Sequence, residues 1–402
     1  MLNRRKWLRW LLLAAGILWM AGAFAAAPVV DAVTGEAVSD ASFRLSPGYL
    51  ALAPVMGVLD HLSLLTDRQH VAVLLGIAVA YLAVRVTGRA LRRSPGKSLV
   101  REAGLGGAVV LAVLAVYAFG VLGMRPMVAL ESHDPDVVIV DFHSHTDSSH
   151  DGRPGFDADA RREWHRSAGF DLAYLSDHDN LDTVAAVQRP NPDLAGEGLS
   201  FLPGVEVRYR NQHVVVLGGA DPNRGIPAGE KWPTLIQTIP NDLSRVPLPT
   251  RGKLGGVHAI ELVDADPRGL RQSVEERDLI LQIADSLDLT LVSGTNHHGW
   301  GRTAAAWNLI RVPGWQHLRP QELGAEIEAL VRGGRTDRIQ IAERRRLRLY
   351  APREPTLVEA LTAPRLAVHI LQSLTFAERL AWLPWIAACV FVVVRRRPAG
   401  AG

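Results

Sequence analysis

Imidazoles and carboxylates gather in five short runs of this sequence. They are Asp141-Phe-His143-Ser-His145-Thr-Asp-Ser-Ser-His150-Asp151-Gly152, Ser176-Asp177-His178-Asp179, Gly204-Val205-Glu206, His213, and Asn296-His297-His298-Gly299. Alternate residues of a strand point the same way, so His143 and His145 can both aim at one metal ion. An HxH pair alone is a weak signal, because two histidines on an exposed turn are more often solvated than ligating. The weight lies in the number of runs, each placed where a strand ends or begins. The only cysteine, Cys389, sits in an apolar stretch, which removes both a cysteine metal site and a disulfide framework.

Seven β-rich runs position these groups: DVVIVDF, DLAYLS, LSFLPGVEV, HVVVLGG, TLIQTI, GVHAIELV and LTLVSG. They alternate with helix-forming segments, which predicts an α/β domain built as a parallel, TIM-like (β/α)7 barrel. In such barrels the chemistry collects at the C-terminal ends of the strands. The segment QELGAEIEALVRGG and the basic stretch Arg344 to Arg348 read as a helix and a connector returning to a membrane.

Taken in order, DFHSHTDSSHDG, YLSDHDN, FLPGVEV, QHVVVLG, GVHAIELVD and SGTNHHG resemble the PHP family, the polymerase and histidinol phosphatase superfamily, over about residues 137–300. The resemblance implies a distorted seven-stranded barrel with two, or as many as three, divalent ions (manganese, zinc or iron) that hydrolyses phosphate esters. It marks His143, His145, Asp151, His178, Glu206, His213 and His298 as metal ligands, with Glu206 between ions. Asn296 stands where the family has aspartate; its amide oxygen can bind a hard cation, more weakly. Ile239-Pro240 stands where the family has histidine before proline, which costs one ion a ligand. His297 and His258 could compensate, but structural roles suit them better.

Glu206, His178 and Asp177 are the candidate catalytic groups, Asp177 and Asp179 being placed to orient His178. Arg208, Arg210 and Arg302 could fork onto a substrate phosphate, with surface solvation the competing reading for each. Residues 220–235 could form a rim loop. The substrate class is a small phosphate ester or nucleotide, with phosphomonoesterase and exonuclease both open. A metal-binding or sensory domain that has lost turnover is the alternative; a transporter or channel is disfavoured by few buried charges.

With 402 residues, 48% of them hydrophobic, the chain is too apolar to lie wholly in water. Lys+Arg 44 against Asp+Glu 41 gives no global basicity, and the basic residues cluster beside apolar runs, which points to membrane topology rather than specific nucleic-acid binding. Residues 1–27 read as a signal anchor, or a signal peptide cleaved after Ala25. Residues 28–130 read as a membrane region with spans at about 71–86 and 105–122. The barrel takes 131–315, a helical connector 316–379, and a last span 380–394, for about four transmembrane helices in all. Three basic clusters (Arg4-Arg5-Lys6; Arg89, Arg92, Arg93, Lys97 and Arg101; Arg395-Arg396-Arg397) then lie in the cytoplasm, and the barrel lies outside a cytoplasmic membrane crossed several times. Residues 49–66, holding Pro54, Asp60 and His61, read as interfacial or packed between helices. Trp300, Trp307 and Trp315 read as core or membrane-interface anchors.

Overall fold

The computed structural model describes residues 4–92, 99–209, 212–218, 233–238, 256–334, 336–347 and 361–395. Arg210, Ile239, Pro240, most of the 220–235 loop, Arg93, Lys97, Arg348, Arg396 and Arg397 therefore lie outside the described residues.

Twelve strands are described: β1 (Val29–Asp31), β2 (Ala41–Leu45), β3 (Val128–Ser132), β4 (Val137–Asp141), β5 (Leu172–Leu175), β6 (Ser200–Tyr209), β7 (Gln212–Leu217), β8 (Thr234–Gln237), β9 (Ala259–Asp264), β10 (Thr290–Gly294), β11 (Ala306–Arg311) and β12 (Ile339–Arg344). β2 and β3 form a two-stranded ribbon; the others make one ten-stranded sheet in the order β1-β12-β11-β4-β5-β6-β7-β8-β9-β10. The sheet curls until β10 reaches back towards β4. At this seam Asn308 of β11 donates from Nδ2 to the carbonyls of Val140 and Ser293, at 3.0 and 2.8 Å, and accepts from Ser293 N–H at 2.8 Å.

All seven expected runs are strands, but the sheet is mixed rather than parallel. β4, β5 and β6 run parallel, as do β8, β9 and β10. β7 is antiparallel to both its neighbours, and β11 to β4 and β12. The reason is chain length: only residues 210–211 separate β6 from β7, and a parallel return needs a crossover of about a dozen residues or more. The reversal puts the start of β7, with His213, at the same rim as the ends of its neighbours.

The helix Ala158–Ala168 begins where the Asp157 carboxylate accepts from Ala160 N–H at 3.0 Å, and ends at Gly169 (φ 86°). It buries Trp164 against Phe170, Phe201 and Trp307. The helix Pro320–Arg332 buries Leu323, Ile327 and Val331, spaced by four, against Val140, Tyr174, Val215 and Val292 of the sheet. The region expected as a helical connector thus also contains β12, and the region expected as membrane contains β1, β2 and β3; the barrel sheet draws on both.

Among the described residues two helices are long and apolar enough to cross a membrane, Asp67–Gly88 and Val100–Leu122; a third counts only if Thr362–Ser373 and Phe376–Val392, bent by 117°, are one span. The apolar stretch Trp7–Ala23 of the first helix is shorter than these, so two spans, or up to three, are shown among the described residues rather than four. The C-terminal bend has a local cause. Thr375 and Glu378 form a reciprocal cap, Glu378 Oε2 accepting from Thr375 N–H at 2.8 Å and Thr375 Oγ1 accepting from Glu378 N–H at 3.2 Å, which starts a new helix. Ala53–Ser63, eleven residues, is packed between the apolar helices and the sheet with Asp60 fully buried, so residues 49–66 are packed rather than spanning.

Candidate metal centre

The ends of β4, β5, β6 and β10, the start of β7, and Glu261 and Asp264 of β9 face one cleft. Glu206 is its hub. Its Oε2 lies 2.9 Å from His143 Nε2, 3.3 Å from His145 Nε2 and 3.4 Å from His178 Nδ1, and its Oε1 lies 2.8 Å from His213 Nδ1. Asp151 meets His178 Nε2 at 3.5 Å and His298 Nε2 at 3.2 Å. The rings of His145 and His298 stack with centroids 4.2 Å apart. Every expected histidine and carboxylate ligand is therefore brought together.

Two carboxylates join them that the sequence reading did not single out. Glu261 Oε1 lies 2.9 Å from His143 Nδ1, and Asp264 lies with it in the same ligating group. Both belong to β9, buried at every position, so alternation gave no warning. The available signal was two acids inside an otherwise apolar strand, since buried Asp and Glu are rare without a partner. His150, exposed, forms a further group with Asp151 and His178.

Polar atoms in this cleft lack partners. His145 Nε2, His298 Nε2, Glu261 Oε2 and the Asn296 amide oxygen are buried and make no hydrogen bond. His145 and His298 have carboxylate oxygens at 3.3 and 3.2 Å, out of line for a shared proton. Two donors each about 2.1 Å from a tetrahedral ion are about 3.4 Å apart, the spacing such a pair adopts. Orphaned buried donors and acceptors are rare, so several in one cleft fit a cation.

The electrostatics agree. Burial pushes His145, His178 and His298 below the ordinary imidazole range, leaving them neutral, the form that ligates. Burial also opposes charge on His143, but Glu261 and Glu206 on its two nitrogens override it and hold its pKa well above the usual value. Glu206, despite burial, is held well below the carboxylate range by His143. Burial and then Glu261 push Asp264 well up, a strain that a cation would relieve.

Supporting contacts fix the donors. Ser149 Oγ is 3.0 Å from His145 Nδ1 and accepts from His178 N–H at 3.0 Å. Asp141 accepts from Thr295 Oγ1 at 2.6 Å and lies 2.8 Å from His165 Nε2, tying β4 to the segment after β10. Gly294 is required by close approach: a Cβ there would overlap Glu261 Oε1 and come within 2.6 Å of His143 Cβ. Asp179 and Asn296, flanking His178 and His298, adopt left-handed φ values of 49° and 42°, conformations that Asp and Asn tolerate best.

Three candidate roles are corrected or bounded. Asp177 does not orient His178; its carboxylate accepts from Thr146 N–H at 2.6 Å and Thr146 Oγ1 at 2.7 Å, clamping the turn after His145. Arg302 does not face the cleft. Its guanidinium donates to the Arg125 carbonyl at 2.7 Å and to Ser167 Oγ at 3.2 Å, at the junction with the Val100–Leu122 helix. Arg208 pairs opposite His213 across β6 and β7, on the strand face that carries Glu206, and so stays at the rim. Asn296 donates from Nδ2 to Asp264 at 3.1 Å while its oxygen stays unpartnered, and His297 stacks on Trp164 in the core. His258 caps a strand end, 3.1 Å from Leu235 N–H.

No protein-family model matches the chain, and no curated protein matches it. Solved structures similar to it include PsfC from Pseudomonas syringae, at 14% identity and TM-score 0.34, covering 58% of this chain and 98% of that one. Another is a two-domain protein from Bacteroides vulgatus containing a predicted PHP-like metal-dependent phosphoesterase, at 14% identity and TM-score 0.32, covering 50% of this chain and 64% of that one. A third is an amidohydrolase from Chromobacterium violaceum with bound sulfate and no metal, at 17% identity and TM-score 0.28, covering 46% of this chain and 96% of that one. At such scores these likenesses are distant, and the chemistry of the cleft stands on its own donors.

Proposed function

We propose that the chain is a membrane-anchored, metal-dependent hydrolase of phosphate esters. It would hold two divalent ions, manganese, zinc or iron, among His143, His145, Asp151, His178, Glu206, His213 and His298, with Glu261 and Asp264 completing the charge. The observation that carries this reading is Glu206, a buried carboxylate meeting four imidazoles. Four carboxylates balance two divalent charges, and the orphaned atoms supply the remaining ligands. Bound there, such ions supply Lewis acidity and lower the pKa of water towards neutrality.

The chain's own residues set the geometry. Glu261 holds the His143 ring so that Nε2 faces Glu206, the carboxylate–histidine arrangement common at metal sites. The Thr146–Asp177 clamp and Ser149 fix His145. Arg208 and His213 stand at the open edge, where a phosphate would enter. For placement on the outer face of a cytoplasmic membrane, the support is the sequence: basic residues cluster beside the apolar runs, and such clusters are kept inside.

The experiment is hydrolysis of an aryl phosphate by the full chain in detergent with manganese or zinc, against His143→Ala/His145→Ala. Turnover lost in the double variant is expected; no turnover with any metal would contradict the proposal. One observation favours a domain that binds ions without turnover: Asn296 supplies a neutral amide where an acid would polarise more strongly. Ions bound without turnover would select that reading.

A further inference from the structure

The segment that presents His298 to the cleft also rests on the end of a membrane helix. Gly301 N–H donates to the carbonyl of Val121, in the last turn of Val100–Leu122, at 2.8 Å. Three residues of chain reach about 10 Å at most, so His298 lies within that distance of the helix end. The other span starts nearby. A cavity of about 220 Å³ has Asn296, His298 and Trp300 on one wall and Ser63 on the other, four residues before Asp67, where that span begins. That second helix also meets the sheet at its start: Gln69 Nε2 donates to the Leu347 carbonyl, three residues past β12, at 2.8 Å.

The surface between cleft and helix end is apolar and open. Trp300 is 48% exposed, Leu122 50% and Met124 79%. The Arg153 guanidinium lies 5.8 Å from the Trp300 ring, and Arg153 N–H donates to the His298 carbonyl at 2.8 Å, so this rim is joined to the ligand loop. An exposed tryptophan level with the end of an apolar helix is a membrane-interface feature.

Resting on the hydrolase reading above, we infer that the substrate is a phosphate ester carried on a membrane lipid, whose headgroup reaches the cleft past Trp300 while its acyl or prenyl chain stays in the bilayer. For a monoester, water adds to phosphorus, the bond from phosphorus to the lipid oxygen breaks, and that oxygen takes the proton. The lipid alcohol remains in the membrane and inorganic phosphate leaves into water.

The test uses the full chain reconstituted in phosphatidylcholine vesicles with manganese. It compares three phosphomonoesters: phosphatidic acid in the same vesicles, water-soluble glycerol phosphate, and an aryl phosphate. Confinement to one surface raises effective concentration, so phosphatidic acid should be cleaved about tenfold faster than glycerol phosphate or more. In Trp300→Ala the ratio of lipid to aryl phosphate rates should fall about fivefold, while Trp300→Phe should keep it within about twofold. Equal or faster cleavage of the soluble ester would overturn the lipid inference and leave the hydrolase intact. An unchanged ratio in Trp300→Ala would overturn approach by this rim. No cleavage of any ester would remove the hydrolase reading and the inference with it.

Discussion

Asp60 is the point at which the apolar helices lock to the sheet, and its removal should be among the costliest single changes in the chain. Its carboxylate meets Arg125 Nη1 at 2.6 Å and Arg344 Nη1 at 2.9 Å, and accepts from Tyr49 OH at 2.8 Å and Thr303 Oγ1 at 2.9 Å. Arg125 follows the Val100–Leu122 span, Arg344 ends β12, and Thr303 follows the His298 loop, so one buried anion ties together three parts of the molecule. At an effective dielectric of about 20, each ion pair carries about 6 kcal/mol of attraction, most of it offset by desolvation. Removing only the anion leaves two buried guanidiniums unpaired, which costs about 3–5 kcal/mol. Asp60→Asn keeps the volume and loses the charge, so thermal unfolding in detergent, followed by tryptophan fluorescence, should drop by on the order of 10 °C. Asp60→Asn/Arg344→Met should recover part of the loss, since it removes one of the stranded charges. A drop under about 3 °C in the single variant would refute the reasoning. The arginines hold the Asp60 carboxyl below its usual range despite burial. Their contribution is therefore fully present above about pH 4 and is lost only in stronger acid.

Gly294→Ala should weaken ion binding about tenfold or more by displacing His143 and Glu261; titration calorimetry with manganese checks it. Burial raises the Asp171 carboxyl to about 6 while its Oδ2 accepts from Ile139 N–H at 2.9 Å. A raised acid penalises the folded state as pH climbs from about 4 through about 6, by up to about 3 kcal/mol. Asp171→Asn should therefore gain stability over the native chain between pH 4.5 and 7.5, and parallel melting curves that keep the same separation at both pH values would contradict this. Adding an ion to about 100 times its dissociation constant should stabilise the full chain by about 2.7 kcal/mol, read as a higher melting temperature that chelator reverses.

Much of the cleft was legible because its donors sit at strand ends, where a change from apolar to polar is visible in one dimension. The direction of β7 was legible too, in the two-residue gap after Tyr209, but a count of strands alone does not use it. Glu261 and Asp264 were hidden by a strand buried on both faces, where nothing alternates. Asp177 and Arg302 have the right chemistry beside the right motifs, yet their neighbours Thr146 and Arg125 claim them, and such partners are distant in sequence. The last apolar run, 380–394, lies within the helix Phe376–Arg395, whose start is set by the Thr375 to Glu378 cap. Asp60 stood out as a charge beside apolar runs, but its two arginines are 65 and 284 positions away in the sequence. Because β1, β12 and Asp60 all join the barrel to its flanking segments, the whole chain is the unit to study.

The most direct measurement is the metal content of the full chain after loading with manganese or zinc and desalting, set beside Glu206→Gln and His143→Ala/His145→Ala with circular dichroism confirming that each is folded. The expected result is about two ions per native chain and a clear loss in both variants, because Glu206 meets four of the histidines. A folded native chain that retains no divalent ion, or variants that retain as many as the native chain, would contradict the metal centre.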